Sequence, residues 1–273
     1  MKTILITGAS AGLGKATARL FQERGWRVIA TMRHPEREAE LNQLDNVYLL
    51  PLDVTNLQQI DEVVKKATAI SDIDVVFNNA GYSLLGPLEA YSDEQIVSLL
   101  ETNLLGVIRV TKAFIPHFRE KRSGLFIATT SIGGLVSFPF SSMYHASKHA
   151  IEGWTASMAC ELMPFGIGIK TIAPGGINTE CFNRSIVVEM PEYKDEFEAY
   201  LSFPATNEID EAISVAEVVY EAATDRKDKL RYVVGKYANE VYSKSLTTNR
   251  DEFVRQLGAS IYDRPEYKNK KND

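Results

Sequence analysis

A glycine-rich turn that directly follows a short apolar run constrains the fold of this chain more than any other sequence feature. Residues 3–7 are apolar apart from two threonines, and Gly8-Ala9-Ser10-Ala11-Gly12-Leu13-Gly14 leads from them into a segment with helical periodicity. Glycines let such a turn adopt positive φ and let backbone amides approach a pyrophosphate, whose charge is favoured at a helix N-terminus. The turn therefore predicts a βαβ unit that binds a dinucleotide, with a tight turn of no ligand role as the alternative.

The spacing of the glycines, G-x3-G-x-G, also invites comparison with the phosphate-binding loop of nucleotide hydrolases. Gly14-Lys15 resembles the end of that loop, but Ala9 stands where its first glycine is required. Ala16 follows the lysine and has no hydroxyl that could bind Mg²⁺. Nucleotide hydrolysis is therefore disfavoured.

Short apolar runs alternate with longer segments of helical period along most of the chain, which is typical of βαβ units and a parallel sheet. The runs are apolar nearly throughout, as strands buried on both faces should be. They are residues 3–7, 27–31, 47–50, 74–78, 124–129, 167–172 and 231–234, and the helical segments include 13–24, 57–70, 93–120 and 143–163. We predict an α/β fold, a Rossmann-type doubly wound parallel sheet of about seven strands with helices on both faces.

The chain contains no interior Ser/Gly linker, repeat or break in composition that would mark a domain boundary. We predict one dinucleotide-binding catalytic domain over residues 1–263 and a flexible tail over residues 264–273. Residues 179–212 depart from the alternation and are rich in aromatic residues. Because ligands of open α/β sheets bind beyond the carboxyl ends of the strands, we predict a substrate-loop insertion there, with a peripheral helix pair as the alternative.

Composition excludes several classes of partner and compartment. With 30 Lys and Arg against 36 Asp and Glu, and a net charge of −6, we expect neither a nucleic-acid partner nor an anionic membrane surface. Cys160 and Cys181 are the only cysteines, which excludes a disulfide scaffold. No apolar run reaches the roughly 18 residues that span a bilayer, and the N-terminal apolar stretch is too short for a signal peptide. We expect a cytoplasmic protein without membrane insertion.

The residues after the second predicted strand bear on cofactor choice. An acidic residue there would bind the adenine ribose and favour NAD, but the sequence reads Ala30-Thr31-Met32-Arg33-His34. Arg33 offers a permanently charged donor fork that suits a 2′-phosphate. We therefore predict that NADP(H) is preferred over NAD(H), with solvation of a strand end by Arg33 as the alternative.

A tyrosine and a lysine four residues apart could provide proton-transfer chemistry, but the pattern occurs three times, at Tyr144/Lys148, Tyr232/Lys236 and Tyr267/Lys271. Only Tyr144 opens a helical segment after the carboxyl end of a strand, and Ser131 lies at that strand end. Hydride transfer to a carbonyl needs a proton donor, and a nearby ammonium favours ionisation of a phenol. We predict that Tyr144 carries the proton, that Lys148 lowers its pKa and that Ser131 orients the substrate oxygen.

These motifs together resemble the short-chain dehydrogenase/reductase family. The resemblance runs from residue 3 to about residue 235 and includes Asn78-Asn79-Ala80-Gly81, Asn103 and Pro174-Gly175-Gly176-Ile177-Asn178-Thr179. Within that family, the chain is most similar to the branch of the 17β-hydroxysteroid and retinol dehydrogenases. The resemblance implies an oxidoreductase acting on CH–OH donors with NAD(P), and a small-molecule carbonyl or alcohol substrate.

The family also implies roles for particular positions. Asn103 would anchor a water that relays protons to Lys148, and so completes a catalytic set with Ser131, Tyr144 and Lys148. The cofactor would be bound by Gly8, Ser10, Gly12, Leu13, Gly14, Arg33, Asp53, Val54, Asn79, Ala80, Gly81, Tyr144, Lys148, Pro174, Gly175, Ile177 and Thr179. For Asn79 and Asn103, hydrogen bonding to buried backbone is the alternative.

Substrate, assembly and metal content are less constrained by the sequence. The apolar stretch over residues 132–140 and the aromatic insertion predict an apolar pocket and a lipophilic ketone substrate. His145 and His149 have the spacing of zinc ligands but lack the glutamate of H-E-x-x-H, so we predict no metal. A homodimer or homotetramer stays open, as does a non-catalytic NADP(H)-binding sensor on the same fold.

Overall fold

The fold is built on one parallel sheet, as the computed structural model shows for residues 1–178, 185–203 and 209–263. Its seven strands are β1 Thr3–Thr7, β2 Arg27–Met32, β3 Val47–Pro51, β4 Val75–Asn78, β6 Gly124–Thr129, β7 Ile167–Pro174 and β11 Arg231–Val234. They lie side by side in the order β11-β7-β6-β4-β1-β2-β3. The predicted α/β fold with a doubly wound parallel sheet is confirmed.

Helices cover both faces of the sheet because the strands alternate apolar side chains between two cores. The helices are α1 Gly12–Glu23, α2 Leu57–Ile70, α3 Asp93–Leu100, α4 Gly106–Lys121, α5 Ser142–Leu162, α6 Lys194–Leu201, α7 Ala212–Thr224, α8 Lys236–Thr247 and α9 Arg250–Tyr262. Ile4 and Ile6 face the core that contains α1 and α7, whereas Leu5 faces the core of α2, α4 and α5.

Where the sequence predicts one helical segment over residues 93–120, the structure has three consecutive helical elements. A π-helical turn at Glu101–Leu105 separates α3 from α4. The other predicted helices shift by a residue at their ends, to Gly12–Glu23 and Ser142–Leu162, or match, as Leu57–Ile70 does. Such single-residue differences are ordinary at fraying helix ends.

In the part of the chain that the structure describes, four short strands lie outside the main sheet, in two parallel pairs. Strand β5, Leu84–Leu85, pairs with β9, Ile186–Val187, and β8, Gly176–Asn178, pairs with β10, Ile209–Glu211. Of the predicted insertion over residues 179–212, the described part thus contributes β9, a 3₁₀ turn at Pro191–Tyr193, α6 and β10. Cys181, Thr179 and the predicted tail lie outside the described residues.

The strand order places a crevice at the carboxyl edge of the sheet. The chain runs outward from β1 to β2 and β3 on one side, and returns through β4 to β6, β7 and β11 on the other. Ligands of open α/β sheets bind at this reversal point. Within the described ranges, no helix combines the length and the apolar character that a membrane-spanning segment requires.

Candidate active site

A cleft of about 750 Å³ lies at the carboxyl edge of the sheet, beyond the ends of the neighbouring strands β1 and β4, between which the strand order reverses. Its walls come from segments far apart in sequence: the turn after β1, the ends of β2, β3, β4, β6 and β7, the first turns of α5, and parts of α6 and α8. The predicted positions that line it are Gly8, Ser10, Leu13, Arg33, Asp53, Val54, Asn79, Ala80, Gly81, Ser131, Tyr144, Lys148, Pro174, Gly175 and Ile177. The structure thus brings these residues to one cavity.

The glycine turn has the conformation that its sequence requires. Gly8 and Gly12 have φ of 68° and 54°, a region that side chains disfavour. A Cβ on Gly14 would lie 2.3 Å from the Gly8 carbonyl oxygen, so only glycine allows helix and turn to approach this closely. Ala11 precedes α1 and its side chain makes no capping hydrogen bond, and both Ala11 and Leu13 line the cleft, so the N-terminus of the helix lies at the cleft wall.

Asn79 joins the glycine turn to the neighbouring strands. Its Nδ2 donates to the carbonyl oxygens of Thr7 and Gly8 at 3.1 and 3.2 Å, and its Oδ1 accepts from Thr129 Oγ1 at 3.3 Å. Thr7 Oγ1 in turn accepts from the backbone amides of Asn79 and Ala80. The side chain of Asn79 therefore fixes the relative positions of β1, β4 and β6, and its role toward a ribose stays a prediction.

The far end of the cleft combines one exposed cation with a constrained carboxylate. Arg33 follows β2 and is exposed, and among the described residues no carboxylate lies within ion-pair distance of its guanidinium. Lys15, by contrast, pairs with Glu38 and Glu40 at 3.2 and 2.9 Å. Asp53 Oδ1 accepts from the backbone amide and the hydroxyl of Thr55 at 2.9 and 2.7 Å, which holds the start of this loop.

The opposite end of the cleft brings together Ser131, Tyr144 and Lys148. Lys148 is 5% exposed, and its Nζ lies 5.7 Å from the centroid of the Tyr144 ring. The same Nζ donates to the carbonyl oxygen of Thr129 at 2.8 Å. Ser131 Oγ accepts from the amide of Gly133 at 3.0 Å and donates to the Pro174 carbonyl at 3.4 Å. A buried ammonium thus lies next to a phenol, close to a hydroxyl held by backbone.

Asn103 lies in the π-helical turn and not on the cleft wall. It is fully buried, its Oδ1 accepts from the amide of Tyr82 at 3.0 Å, and its Nδ2 donates to the Tyr82 carbonyl at 2.8 Å. A Cβ on Gly81 would meet Asn103 Oδ1 at 3.0 Å and Lys148 Nζ at 3.8 Å. The backbone at Gly81 therefore lies between Asn103 and Lys148. Gly12 and Gly14 also lie outside the cleft lining, and Thr179 lies outside the described residues.

His145 has a different environment from that of a metal ligand. Both ring nitrogens bond to backbone: Nδ1 lies 2.8 Å from the Gly133 carbonyl, and Nε2 accepts from the Phe138 amide at 3.1 Å. Burial lowers the pKa of this histidine to about 4. No group of three or more side chains suited to bind a metal occurs in the part of the chain that the structure describes.

The wall beside Tyr144 is mainly apolar and aromatic. It is formed by Leu85, Ile132, Phe138, Tyr200, Leu201, Phe203 and Tyr237, with the hydroxyls of Ser83 and Ser141 among them. Sequence reasoning missed Tyr237, although the position of residues 235–237 directly after β11 is a signal that could have found it. It also missed Tyr82, which lines the cleft between Gly81 and β5.

The chain is similar in sequence to a family of dehydrogenases and to proteins that are named as oxidoreductases, reductases or dehydrogenases. The family model described as short chain dehydrogenase matches residues 2–186. An uncharacterized oxidoreductase of Schizosaccharomyces pombe is 37% identical over 213 residues, which is 77% of this chain and 90% of that protein. The 3-ketodihydrosphingosine reductase of Bacteroides thetaiotaomicron is 36% identical and covers 71% of this chain and 72% of its own. Human 17-beta-hydroxysteroid dehydrogenase type 1 is 34% identical over 69% of this chain and 60% of its own.

Solved structures resemble the whole fold. A short-chain dehydrogenase from Streptomyces avermitilis is 30% identical, with a TM-score of 0.84 over 95% of this chain and 97% of its own. A short chain dehydrogenase from Burkholderia cenocepacia, determined in complex with NADP, is 25% identical, with a TM-score of 0.77 over 94% of this chain and 99% of its own.

Proposed function

The chain belongs to the short-chain dehydrogenase/reductase family, and on this premise we propose that it transfers a hydride between NADP(H) and an apolar ketone, aldehyde or secondary alcohol. The family makes the protein an oxidoreductase. The observation that carries the proposal is the buried Lys148 ammonium beside the Tyr144 ring, in the cleft that also receives the N-terminus of α1.

The residues of the cleft fit a dinucleotide. The first amides of α1 have no side-chain cap, and the positive φ of Gly8 and Gly12 opens the turn before them, so a pyrophosphate can bind there. We assign the adenine end to Arg33, Asp53 and Val54, and the nicotinamide end to Pro174, Gly175, Ile177 and Thr179, of which Thr179 lies outside the described residues. When bound, the nicotinamide supplies or accepts the hydride.

The protein's own contribution is to move one proton and to orient one oxygen. The Ser131 hydroxyl, held by the amide of Gly133, orients the substrate oxygen near Tyr144. Tyr144 donates its phenolic proton to that oxygen in reduction and accepts it in oxidation. The Lys148 ammonium favours the phenolate form, because a positive charge close to a phenol lowers its pKa. Asn103, behind Gly81, would supply the path that returns the proton.

Arg33 supports a preference for NADP(H). Its guanidinium is exposed at the cleft without a carboxylate partner among the described residues, so it can pair with a 2′-phosphate without breaking an ion pair. The Burkholderia neighbour in complex with NADP is consistent with this choice.

The substrate end supports an apolar substrate. Among the described residues that line this end, Lys148 is the only Lys, Arg, Asp or Glu, and His145 is neutral. Most of the other lining side chains are aliphatic or aromatic. Two relatives are named for a steroid and a sphingoid substrate, which are both lipophilic. A sensor without catalytic activity would need no proton donor, whereas the Tyr144 phenol lies beside a buried ammonium in the cleft, which makes catalysis the better proposal.

Substitution of the phenol tests the catalytic proposal. We expect Tyr144→Phe to lower kcat by at least about 100-fold, because the proton donor is lost, while NADPH affinity changes little. The measurement is NADPH absorbance with a panel of ketones and aldehydes, together with the Kd for NADPH. Tyr48→Phe on β3, where the ring is 39% exposed, is the matched control and should retain full turnover. Substantial turnover by Tyr144→Phe would refute the assignment.

Substitution of the guanidinium tests the cofactor proposal. We expect Arg33→Gln to weaken NADPH binding by about tenfold or more and to leave NADH binding unchanged, because only NADPH has the 2′-phosphate. Thermal shifts titrated with both nucleotides measure the difference. Arg37→Gln is the control, since this exposed arginine also follows β2 but does not line the cleft. Equal binding of NADH and NADPH by the unaltered protein would contradict the preference.

The same panel tests the polarity of the substrate. We expect turnover of lipophilic ketones and aldehydes, because burial of their apolar surface in this wall is favourable. Activity confined to small polar sugars would refute the apolar pocket and leave the catalytic proposal standing.

A further inference from the structure

A buried carboxylate, Glu152, lies one helical turn beyond Lys148 on α5 and bonds to three other elements. Its side chain is 6% exposed. Oε1 accepts from Thr130 Oγ1 at 2.6 Å, and Oε2 accepts from Arg231 Nε at 2.7 Å and from Thr171 Oγ1 at 3.4 Å. The carboxylate therefore connects the helix of Tyr144 and Lys148 to the residue that follows β6, to the middle of β7 and to the start of β11.

Arg231 supplies the positive charge that pairs with the buried Glu152 carboxylate. Its guanidinium pairs with Glu152 and also donates from Nη1 to the hydroxyl of Tyr242 on α8 at 2.8 Å. A buried carboxylate is stable only when its charge is paired and its oxygens accept hydrogen bonds, and both conditions hold here. The pair anchors the carboxylate from behind, so that Oε1 is held in place toward Thr130.

Two hydrogen bonds join α5 to the carboxyl end of β6 and the residue that follows it. Lys148 donates to the carbonyl of Thr129, and Glu152 accepts from the hydroxyl of Thr130, at 2.8 and 2.6 Å. Lys148 and Glu152 are one turn apart on the helix, whereas Thr129 and Thr130 are consecutive. Ser131 is the next residue of the chain, and Tyr144 is one turn before Lys148. The position of α5 along β6 therefore sets the distance between the Ser131 hydroxyl and the Tyr144 phenol.

We propose that Glu152 is a positioning residue: through its hydrogen bond with Thr130 it holds α5 in register with β6, so that Ser131 and Tyr144 meet the same substrate oxygen. The inference rests on the proposed function, which assigns both groups to that oxygen. Misplacement of reacting groups by about 1 Å can reduce a rate about 100-fold, so a bond between the two elements that carry them has kinetic consequences.

Two threonines of the same network provide the test and its control. Thr130 and Thr171 are 1% and 0% exposed and both donate to Glu152, but only Thr130 belongs to the strand end that carries Ser131. We expect Thr130→Val to lower kcat about 10- to 100-fold while the Kd for NADPH stays within about twofold. Thr171→Val removes a similar buried hydroxyl and should retain most of kcat.

Rescue by a conservative change separates positioning from general destabilisation. Thr130→Ser keeps the hydroxyl and should restore kcat to within about threefold of the unaltered enzyme. Thr130→Ala replaces Thr130→Val in the comparison if the valine variant does not fold. Equal losses of kcat for Thr130→Val and Thr171→Val, or no loss for Thr130→Val, would overturn the proposal.

A measurement without turnover keeps this inference separate from the proposed function. In hydrogen–deuterium exchange of the unliganded protein, Thr130→Val should increase exchange over residues 142–148, and Thr171→Val should not. If the unaltered protein reduces none of the carbonyls, the proposed function fails, and exchange alone decides whether Glu152 holds the register. Unchanged exchange over residues 142–148 in Thr130→Val would then refute it.

Discussion

His145 is the residue whose environment gives the clearest chemical prediction. Its ring bridges the backbone of Gly133 and Phe138, and so ties the loop that walls the substrate end to the helix that carries Tyr144. Because Nε2 accepts from the Phe138 amide, the ring can form both bonds only while it is neutral, with its proton on Nδ1. Burial lowers its pKa to about 4, so the neutral form persists through the physiological range.

This depressed pKa predicts a loss of stability in acid. Between about pH 6.5 and pH 4 the unfolded chain binds a proton at His145 that the folded protein does not, so the free energy of unfolding falls as the pH is lowered through this window. The lowered pKa of His145 contributes about 3 kcal/mol to the free energy of unfolding at pH 7. His145→Asn can keep a donor toward Gly133 but does not titrate. Denaturant unfolding from pH 7 to pH 4 should therefore show the stability advantage of the unaltered protein shrinking by about that amount. An advantage that is independent of pH would contradict the prediction.

At the scale of elements, the close contact between the glycine turn and α1 gives a second prediction. Gly14→Ala would place a Cβ 2.3 Å from the Gly8 carbonyl and 2.6 Å from Asn79 Nδ2, so the turn and the side chain that braces it must shift. We expect a loss of about 2 kcal/mol in the free energy of unfolding and a weaker affinity for NADPH. Gly258→Ala in α9 is the control. Its Cβ would meet no neighbour within 4 Å among the described residues, so helix propensity predicts a gain of about 0.5–1 kcal/mol. Chemical denaturation measures both, and a neutral Gly14→Ala would refute the close contact.

The elements of the sheet could be predicted from the sequence because each depends on local pattern. All seven main strands match the apolar runs, and Tyr144/Lys148 could be chosen over Tyr232/Lys236 because Tyr232 lies inside a strand. The break in the segment after Asp93 could not be predicted, since the π-helical turn holds Asn103 against the backbone of Tyr82, a contact between distant residues. The partners of His145 and Glu152 depend in the same way on how the loop after β6 and the start of β11 pack onto α5.

At the scale of the whole molecule, the C-terminal helices complete the substrate wall. Ile132 and Val136, which follow β6, form a buried cluster with Ala238, Val241 and Phe253 of α8 and α9. Phe138 and Tyr237 pack against this cluster and also line the cleft. Residues more than a hundred positions apart thus form one wall. Tyr200 and Leu201, from the insertion predicted over residues 179–212, line the same cleft as Tyr237.

This arrangement predicts that a core residue distant from the cofactor controls substrate affinity. Phe253 is 7% exposed and supports the loop over residues 132–138 from behind, so Phe253→Ala should lower the free energy of unfolding by about 3 kcal/mol and loosen Phe138 and Tyr237. We expect KM for the carbonyl substrate to rise while the Kd for NADPH is unchanged, because the dinucleotide turn and the Arg33 end of the cleft lie on other elements. Val254→Ala removes the next side chain, which is 58% exposed, and should change neither quantity. Both variants are assayed below their melting temperatures. If Phe253→Ala weakened NADPH as much as substrate, the C-terminal helices would be acting through the fold as a whole and not through the substrate wall.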